Sequence, residues 1–377
     1  MLALVFLTGS CADRPAEPFF IEAPVFVSGT DGYDTFRIPA VVVTMKGTVL
    51  ALCEGRKNGR NDTGDINLVL RRSEDGGETW GPLQVIWDDG ENVCGNPCPV
   101  VDRDTGRIWL LSTHNLGSDG ERAIWNQTGE GSRTVWLLWS DDDGATWSGP
   151  RDITSDVKKD DWTWYATGPG VGIQLVTGRL VIPCDHGVAV TMDYQSHVIY
   201  SDDHGRTWRL GGSVPDIATS ECQVVERDDG SLLMNIRSYP KRPGFRVVSE
   251  STDGGMNWSE TSLDRSLPSP GCQGSILTYP RADTSGKSRV IFSCPADKKA
   301  RVNMTVRLSY DGAKTWPVTG QIFPGPSAYS CLSVMRDGTI GCFYECGKEN
   351  AYETIALARF NLEWLTDGAD NGKGAGR

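Results

Sequence analysis

Three arginines, two carboxylates and a tyrosine are the side chains with which this sequence could bind an anion and move a proton. They lie far apart along the chain, at Arg37, Asp62, Glu221, Arg237, Arg301 and Tyr329. The planar guanidinium group of arginine presents paired N–H donors that match a carboxylate. Three arginines held close together repel one another unless an anionic ligand or neighbouring acids compensate their charge. If the fold brings these side chains together, we expect a site for a carboxylate or a polyanion.

One octapeptide, Ser-x-Asp-x-Gly-x-Thr-Trp, recurs along the chain and indicates a repeat architecture. Its five copies are residues 73–80, 140–147, 201–208, 251–258 and 309–316. The last copy has Ala313 where the others have glycine. Each copy follows a strand-like run, so we expect it in a hairpin turn, with its aspartate and serine bonded to backbone amides. A calcium loop is the alternative for this pattern, but no glutamate follows at the twelfth position.

A second repeat consists of a strand, a glycine turn and another strand. Its six copies are residues 37–54, 96–113, 168–185, 221–237, 273–293 and 329–345. Five copies are followed by a third strand and an octapeptide, whereas the sixth continues into ETIALARF without one. Residues 19–28 could supply the outer strand of the last unit, which would close a ring and remove a sheet edge. We therefore expect an all-β fold, a six-bladed β-propeller of four-stranded antiparallel blades.

Aligning the six copies on their turn glycine predicts which side chains meet. Nine or ten positions before the glycine, or in the equivalent place where the fifth turn is longer, are Arg37, Asn96, Gly168, Glu221, Gln273 and Tyr329. Seven positions after it, in the five copies other than the fifth, are Glu54, Thr113, Asp185, Arg237 and Glu345. Antiparallel pairing brings both sets to one mouth of the axis. Third strands begin there too, so we expect Arg301, not Arg307, at the site, together with Asp62 from the loop 54–65.

Charge and composition exclude several classes of function. The net charge of −12 and the pI near 4.9 argue against nucleic acid or an anionic membrane surface as the main partner. We expect no cofactor and no metal, because the chain has only four histidines. The spacings of Cys94 with Cys98 and of Cys342 with Cys346 also differ from the common zinc patterns.

The amino-terminal segment MLALVFLTGSC is a short apolar run with small residues before Cys11, which is typical of a signal peptide. It also looks like a bacterial lipoprotein cleavage site, in which Cys11 would carry lipid and tether the protein to a membrane. We expect residues 1–18 to be leader and linker, residues 19–365 a single catalytic propeller and residues 366–377 a disordered tail. The protein is then secreted, periplasmic or at the cell surface. The ten further cysteines would permit disulfides there, in pairs that the sequence leaves open.

The segment FRIPA at residues 36–40, the five octapeptides and the later arginines, glutamate and tyrosine make the chain similar to exo-sialidases. These enzymes, also called neuraminidases, carry such octapeptides as Asp-boxes or BNR repeats, and the resemblance covers about residues 20–365. It implies that an arginine triad binds the carboxylate of sialic acid: Arg37, Arg237 and Arg301. It also implies that Glu345 holds the first of these arginines and that Arg56 is an additional arginine facing the substrate.

The resemblance further implies the catalytic roles of Asp62 as acid/base, Tyr329 as nucleophile and Glu221 as the acid that activates the tyrosine. The expected function is retaining exo-α-sialidase activity on terminal sialic acids of glycoproteins, glycolipids or oligosaccharides, so sialylated glycans are the expected partners. A tyrosine suits this reaction because a carboxylate nucleophile would approach the sugar's own carboxylate against like charge. Two alternatives remain open: a non-catalytic propeller that binds sialoglycans, and a sialidase-type transferase or anhydro-forming enzyme. Trp125, Trp162, Trp164 and Tyr165 are candidates for a substrate pocket.

Overall fold

The chain folds almost entirely into β-strands and turns. This computed structural model describes residues 17–189, 191, 193–238, 244–280 and 288–371. Its three helices are short: α1 (Glu121–Trp125), α2 (Thr154–Val157) and α3 (Leu362–Leu365). None of the described helices is long and apolar enough to cross a membrane. The expected all-β class is confirmed, whereas the expected leader with Cys11 lies outside the described residues apart from 17 and 18.

The strands fall into consecutive groups of antiparallel neighbours. The first half of the chain contains β1 (Phe20–Val27), β2 (Thr35–Val43), β3 (Val49–Arg56), β4 (Ile66–Ser73), β5 (Gln84–Trp87), β6 (Val93–Val101), β7 (Ile108–Asn115), β8 (Thr134–Ser140), β9 (Arg151–Asp152), β10 (Trp162–Thr167), β11 (Ile173–Gln174), β12 (Leu180–Val188), β13 (Tyr194–Ser201) and β14 (Arg209–Ser213). Strands β2 to β5 form the first group and β6 to β9 the second. In the third, both β10 and β11 pair with β12, which continues to β13 and β14.

The second half repeats this pattern. It contains β15 (Thr219–Glu226), β16 (Leu232–Ser238), β17 (Gly244–Ser251), β18 (Ser262–Ser269), β19 (Ser275–Thr278), β20 (Val290–Pro295), β21 (Val302–Ser309), β22 (Val318–Val334), β23 (Ile340–Cys346) and β24 (Thr354–Phe360). Strands β15 to β18 form the fourth group. The long β22 completes a fifth group with β19, β20 and β21 and then begins a sixth with β23, β24 and β1. The prediction that residues 19–28 supply the last group's outer strand is confirmed.

Inner strands of neighbouring groups contact each other in series. β2 contacts β6, β6 contacts β10 and β11, and β12 contacts β15. β15 then contacts β19, β19 contacts β22, and β22 contacts β2, so the series returns to its start. Apolar clusters fill the spaces between neighbouring groups; in one of them Trp109 of the second group packs with Leu180 and Trp208 of the third. Burying such large side chains between the groups is the main apolar contribution to stability.

The octapeptides form the turns after β4, β8, β13, β17 and β21, at the end of the strands opposite to Arg37 and Glu221. In the first turn Ser73 Oγ accepts a hydrogen bond from Gly77 N at 2.8 Å, and Asp75 Oδ1 accepts one from Thr79 N at 2.9 Å. The other four turns repeat these bonds. The prediction that the aspartate and serine bond to backbone amides is confirmed.

The octapeptide glycine also joins neighbouring groups. Gly205 has φ +80°, and a Cβ added there would lie 2.2 Å from the ring of Trp109 in the preceding group. A Cβ on Gly144 would similarly meet Leu50 at 2.8 Å. Glycine is therefore required at these turns both by its backbone conformation and by the close approach of the next group.

The carboxyl-terminal segment corrects one expectation. Residues 366–377 were expected to be a disordered tail, but Thr366 and Asp370, within the described residues 366–371, are buried. Residues 372–377 lie outside the described residues. The Asp370 carboxylate accepts hydrogen bonds at 2.8 and 2.9 Å from Arg289, which is itself buried. The sequence TDGAD is polar enough to look disordered, but Asp370 pairs with Arg289, which immediately precedes β20, and the Asp370 N–H donates to Thr366 Oγ1 at 2.9 Å. All ten described cysteines are buried and none forms a disulfide.

Candidate active site

The predicted side chains surround a cavity of about 190 Å³ at one end of the inner strands. Seven of the eight predicted site residues line it: Arg37, Arg56, Asp62, Glu221, Arg237, Arg301 and Tyr329. The eighth, Glu345, lies directly behind Arg37 and binds it. Arg307, which the sequence analysis set aside, does not line the cavity and instead donates to Thr319. Of the two arginines near the ends of β21, Arg301 therefore lines the cavity and Arg307 does not, as the register argument predicted.

Irregular pairing re-aims the inner strands where they reach the cavity. Four of them have a register shift there: between Arg37 and Ala40, Gly95 and Cys98, Thr219 and Cys222, and Ser327 and Ser330. Ile38 has φ 61° and Asn96 has φ 51°, a region that non-glycine residues rarely adopt. Such bulges commonly redirect side chains beside active sites. Here they turn one polar side chain from each of these four strands toward the cavity: Arg37, Asn96, Glu221 and Tyr329.

Each of the three predicted clamp arginines is held by a partner in the described structure. Arg37 donates to both Glu345 oxygens, Nε to Oε1 at 3.0 Å and Nη2 to Oε2 at 3.3 Å. Arg237 Nη1 donates to Glu221 Oε2 at 2.7 Å, and Arg301 Nη1 donates to the Tyr352 hydroxyl at 2.9 Å. Burial lowers the pKa of Arg37, but the charge of Glu345 outweighs it and the pKa ends above its ordinary value. Arg37 therefore stays positively charged in its buried position.

Tyr329 and Glu221 form a close pair on the cavity wall. The Tyr329 hydroxyl donates to Glu221 Oε1 at 2.5 Å, and Arg237 Nη1 lies 2.9 Å from the same hydroxyl. The Tyr329 amide donates to Glu345 Oε2 at 3.1 Å, which fixes the backbone of the tyrosine. Burial and the charge of Glu221 raise the pKa of Tyr329 well above its ordinary value, although the nearby arginines oppose this. The phenol is therefore neutral and has a base already in contact with it.

Asp62 reaches the cavity from the loop between β3 and β4. Its carboxylate forms an ion pair with Arg56, with 2.7 Å between Nη2 and Oδ1, and its side chain is 60% exposed. Desolvation of the carboxylate raises the pKa of Asp62. The charges of Arg56 and Arg37 outweigh this effect and hold the pKa below its usual value. The neighbouring arginines therefore favour the ionised form of Asp62.

The sequence analysis missed Arg133 as a site residue. Arg133 lines the cavity, is buried, and donates to Asn96 Oδ1 at 2.6 Å and to Thr113 Oγ1 at 3.0 Å. It immediately precedes β8, as Arg301 immediately precedes β21, so the two arginines hold equivalent places in their groups. The register that selected Arg301 could therefore have found Arg133 as well.

Three further side chains at the cavity were also not predicted. Tyr352 joins two clamp arginines, since its ring lies 4.3 Å from Arg37 Cζ and its hydroxyl accepts from Arg301. Glu121 and Tyr194 line the cavity and are hydrogen-bonded to each other. Tyr352 and Glu121 lie in connections after the second strand of their groups, where the strand repeat gives no register, so no signal in the alignment points to them.

Asp185 differs from every other acid at the cavity. It lines the cavity, is only 1% exposed and makes no hydrogen bond through its side chain with any described residue. Burial, reinforced by the charge of Glu221, raises the pKa of Asp185 well above its usual value. A buried polar group without a partner is unfavourable and is uncommon outside functional sites. Burial therefore favours the protonated form of Asp185 in the cavity wall.

The four aromatic candidates separate into one cavity residue and three packing residues. Trp164 lines the cavity and lies 4.2 Å from Arg133 Cζ. Trp162 and Tyr165 belong to the apolar cluster between the second and third groups, and Trp125 packs against Tyr194 without lining the cavity. Alternation along β10 puts the neighbours Trp164 and Tyr165 on opposite faces. The register shift between Trp162 and Trp164 accounts for Trp162 packing on the same side as Tyr165.

One group of side chains in the described part of the chain could hold a metal ion: Asp102, Asp104 and His204. It does not line the cavity, and His204 belongs to the third octapeptide. Asp102 already accepts hydrogen bonds from Thr105 and Gln174. This group therefore takes no part in the candidate active site.

Comparison with known proteins identifies the family. Residues 47–342 match the model of the BNR repeat-like domain. The chain is 36% identical to a sialidase of Micromonospora viridifaciens over 95% of its own length and 56% of that protein's length. It is 35% identical to an exo-alpha-sialidase of Aspergillus fumigatus, with 98% of each chain covered. A solved structure, the Hadza microbial sialidase Hz136, superposes with a TM-score of 0.83 and 30% identity over 92% of this chain and 69% of that one. The chain therefore belongs to the sialidase family of glycoside hydrolases and carries its BNR repeats.

Proposed function

We propose that this chain is an exo-α-sialidase that hydrolyses terminal sialic acids from glycans with retention of configuration, using Tyr329 as nucleophile. The observation that carries the proposal is the 2.5 Å contact between the Tyr329 hydroxyl and Glu221 in a cavity with Arg37, Arg237 and Arg301. A binding module has no use for a tyrosine paired with a base. The similarity to sialidases extends over most of the chain and supports sialylated glycans as the substrate class.

The three arginines bind the substrate's carboxylate in this proposal. Glu345 holds Arg37, and Tyr352 bridges Arg37 and Arg301, so the guanidinium groups are fixed before substrate arrives. Fixed donors lose little freedom when the carboxylate binds, which favours both affinity and a defined attack geometry. The carboxylate also compensates the mutual repulsion of the arginines.

The nucleophile is Tyr329 and its base is Glu221. The Tyr329 oxygen attacks the anomeric carbon while its proton moves to the Glu221 carboxylate, and the bond between the anomeric carbon and the leaving oxygen breaks. The raised pKa of Tyr329 makes a base necessary, because the phenol is neutral at physiological pH. Glu221 later returns the proton when the tyrosine leaves.

Asp62 acts as general acid and then as general base. It gives its proton to the departing glycosidic oxygen in the first step and takes a proton from the attacking water in the second. Before substrate binds, the charges of Arg56 and Arg37 favour its ionised form. A bound substrate carboxylate compensates Arg37, which raises the pKa of Asp62 and allows it to carry the proton.

We infer further that the six strand groups are the blades of a six-bladed propeller and that residues 19–365 form one catalytic unit. The closed series of contacts between inner strands and the pairing of β1 with β24 support this arrangement. Five of the six groups each contribute a lining residue to the cavity: Arg37, Asn96, Asp185, Glu221 and Tyr329. Arg301, which immediately precedes the third strand of the remaining group, lines the cavity as well.

Turnover of a fluorogenic aryl α-sialoside tests this function. We expect the wild-type protein to release sialic acid and Tyr329→Phe to lose most of that activity, with unchanged thermal unfolding. Proton NMR of the first product should show the α-anomer of free sialic acid. An inert wild-type protein that still binds sialosides would favour the binding module, and an anhydro or transferred product would favour the other alternative.

A further inference from the structure

One side of the cavity wall carries two buried polar side chains whose hydrogen bonding is incomplete. Arg133 is 3% exposed, and its Nε and Nη2 donate to Thr113 and Asn96, but its Nη1 has no partner among the described residues. Asp185 is 1% exposed, and its carboxyl group has no hydrogen-bond partner in the described part of the chain. Buried polar groups without partners are uncommon, and a ligand that supplies the missing bonds accounts for them.

Arg133 and Asp185 are close in the wall but do not pair with each other. Burial is the largest influence on the pKa of both groups, and each charge also acts on the pKa of the other. No ion pair or hydrogen bond joins these two described side chains. Trp164, whose ring centroid lies 4.2 Å from Arg133 Cζ, and Ala166, which pairs with Asp185 across β10 and β12, complete this part of the wall. A small neutral group that both donates and accepts hydrogen bonds fits between the two side chains.

The two side chains lie across the cavity from the clamp arginines. The clamp arginines and Tyr329 come from the first, fourth, fifth and sixth strand groups, whereas Arg133 and Asp185 come from the second and third. In sialic acid the carboxylate is attached to C2, and C5 is the atom opposite C2 in the sugar ring. A sugar whose carboxylate is bound by the clamp therefore directs its C5 substituent toward Arg133 and Asp185.

We propose that Arg133 and Asp185 determine specificity at C5 and select sialic acids whose C5 substituent ends in a hydroxyl group over those that end in an acetyl methyl. A hydroxyl group both donates and accepts, so it can bond to Arg133 Nη1 and to Asp185 at once. The methyl of an N-acetyl group offers neither bond and leaves at least one of the two buried groups without a partner. Sites built to bond a substrate hydroxyl discriminate against analogues that lack it for this reason. This inference rests on the proposed sialidase activity.

The experiment compares kcat/KM for three aryl α-sialosides that share one leaving group and differ only at C5, which carries an N-acetyl, an N-glycolyl or a hydroxyl group. We expect the wild-type protein to prefer one of the two hydroxyl-ended sugars over the N-acetyl sugar by about 10-fold or more. Which of the two is preferred shows how far from C5 the hydroxyl is bound. A wild-type protein that cleaves the N-acetyl sugar best, or all three equally, would overturn the inference. A protein inert on all three would instead contradict the proposed sialidase activity, on which the inference rests.

Two variants assign the preference to these residues. Arg133→Met and Asp185→Leu should each lose about 10-fold or more on the preferred hydroxyl-ended sugar and change less on the N-acetyl sugar, so that the preference disappears. Arg71→Gln is the matched control and should keep the wild-type preference, because Arg71 pairs with Asp31 outside the cavity.

Thermal unfolding of each variant identifies one that fails to fold. Arg133→Met removes two hydrogen bonds within the protein, whereas Asp185→Leu removes a group without a partner, so the second variant keeps the test decisive if the first misfolds. Equal losses on all three sugars in a folded variant would indicate a purely structural role and would overturn the inference.

Discussion

Aspartates at the two ends of the strands have opposite surroundings. In the octapeptide turns, Asp142 is exposed but accepts hydrogen bonds from Thr146 N and Thr146 Oγ1, and the hydrogen bonds of Thr146 hold its pKa at about 2. At the cavity, Asp185 is buried without a hydrogen bond, and burial raises its pKa well above the usual value. An acid whose oxygens are all satisfied by its own turn belongs to the scaffold, whereas a buried acid without a partner marks the place where a ligand completes the structure.

Replacing Asp185 should separate activity from stability. We expect Asp185→Leu to lower kcat/KM by about 10-fold or more, because a polar group of the substrate loses its partner, while the free energy of unfolding rises by about 1–3 kcal/mol because an unpaired polar group is removed. Steady-state kinetics and urea unfolding measure the two quantities. A simultaneous loss of stability and activity would indicate that Asp185 is a structural acid and would break the comparison.

The pH dependence of stability should also differ between the two acids. The raised pKa of Asp185 means that its folded form holds a proton that the unfolded chain releases above about pH 4, so its contribution to stability falls as pH rises. The lowered pKa of Asp142 has the opposite effect, and its contribution is lost only as pH falls toward about 2. Urea unfolding of wild type and Asp185→Asn from pH 4 to 8 should show a difference that grows with pH.

Gly205 tests how firmly the octapeptide turns join the groups. Gly205→Ala should lower the free energy of unfolding by about 2–4 kcal/mol, because alanine is strained at φ +80° and its Cβ would collide with Trp109. The kinetic constants of the folded variant should not change, since the turn is at the far end of the strands. The fifth octapeptide is the natural control: Ala313 already occupies this position at φ 67°, so Ala313→Gly should alter the free energy of unfolding by about 1 kcal/mol or less.

The smallest expected effect concerns the turn acids themselves. Asp142→Ala removes three side-chain hydrogen bonds on an exposed turn, from Ser140 Oγ, Thr146 N and Thr146 Oγ1, and we expect a loss of about 1 kcal/mol in the free energy of unfolding at neutral pH. No change in kcat/KM is expected. A drop in activity without a drop in stability would show that the turns influence the cavity and that the two ends of the strands are not independent.

The strand repeat predicted most of the cavity, because residues at equivalent places in antiparallel pairs must converge. Arg37, Glu221, Arg237 and Tyr329 follow directly from that register. Local sequence was insufficient where a long-range partner decides the outcome. Asp370 pairs with Arg289, which is far away in the sequence, and Arg56 meets both the cavity and Asp62 because the loop after β3 folds back toward it. Trp162 and Tyr165 are residue types that also line sugar pockets; strand alternation separates Tyr165 from Trp164, and the register shift after Trp162 separates Trp162 from it.

The identity of the nucleophile is the central claim, and trapping the covalent intermediate tests it most directly. A 2,3-difluoro sialic acid should form a long-lived adduct, because fluorine at C3 slows the second step by destabilising its positively charged transition state. Peptide mass spectrometry should then find the sugar on Tyr329. An adduct on Glu221 or Asp62, or turnover with no covalent species at any time, would contradict the account.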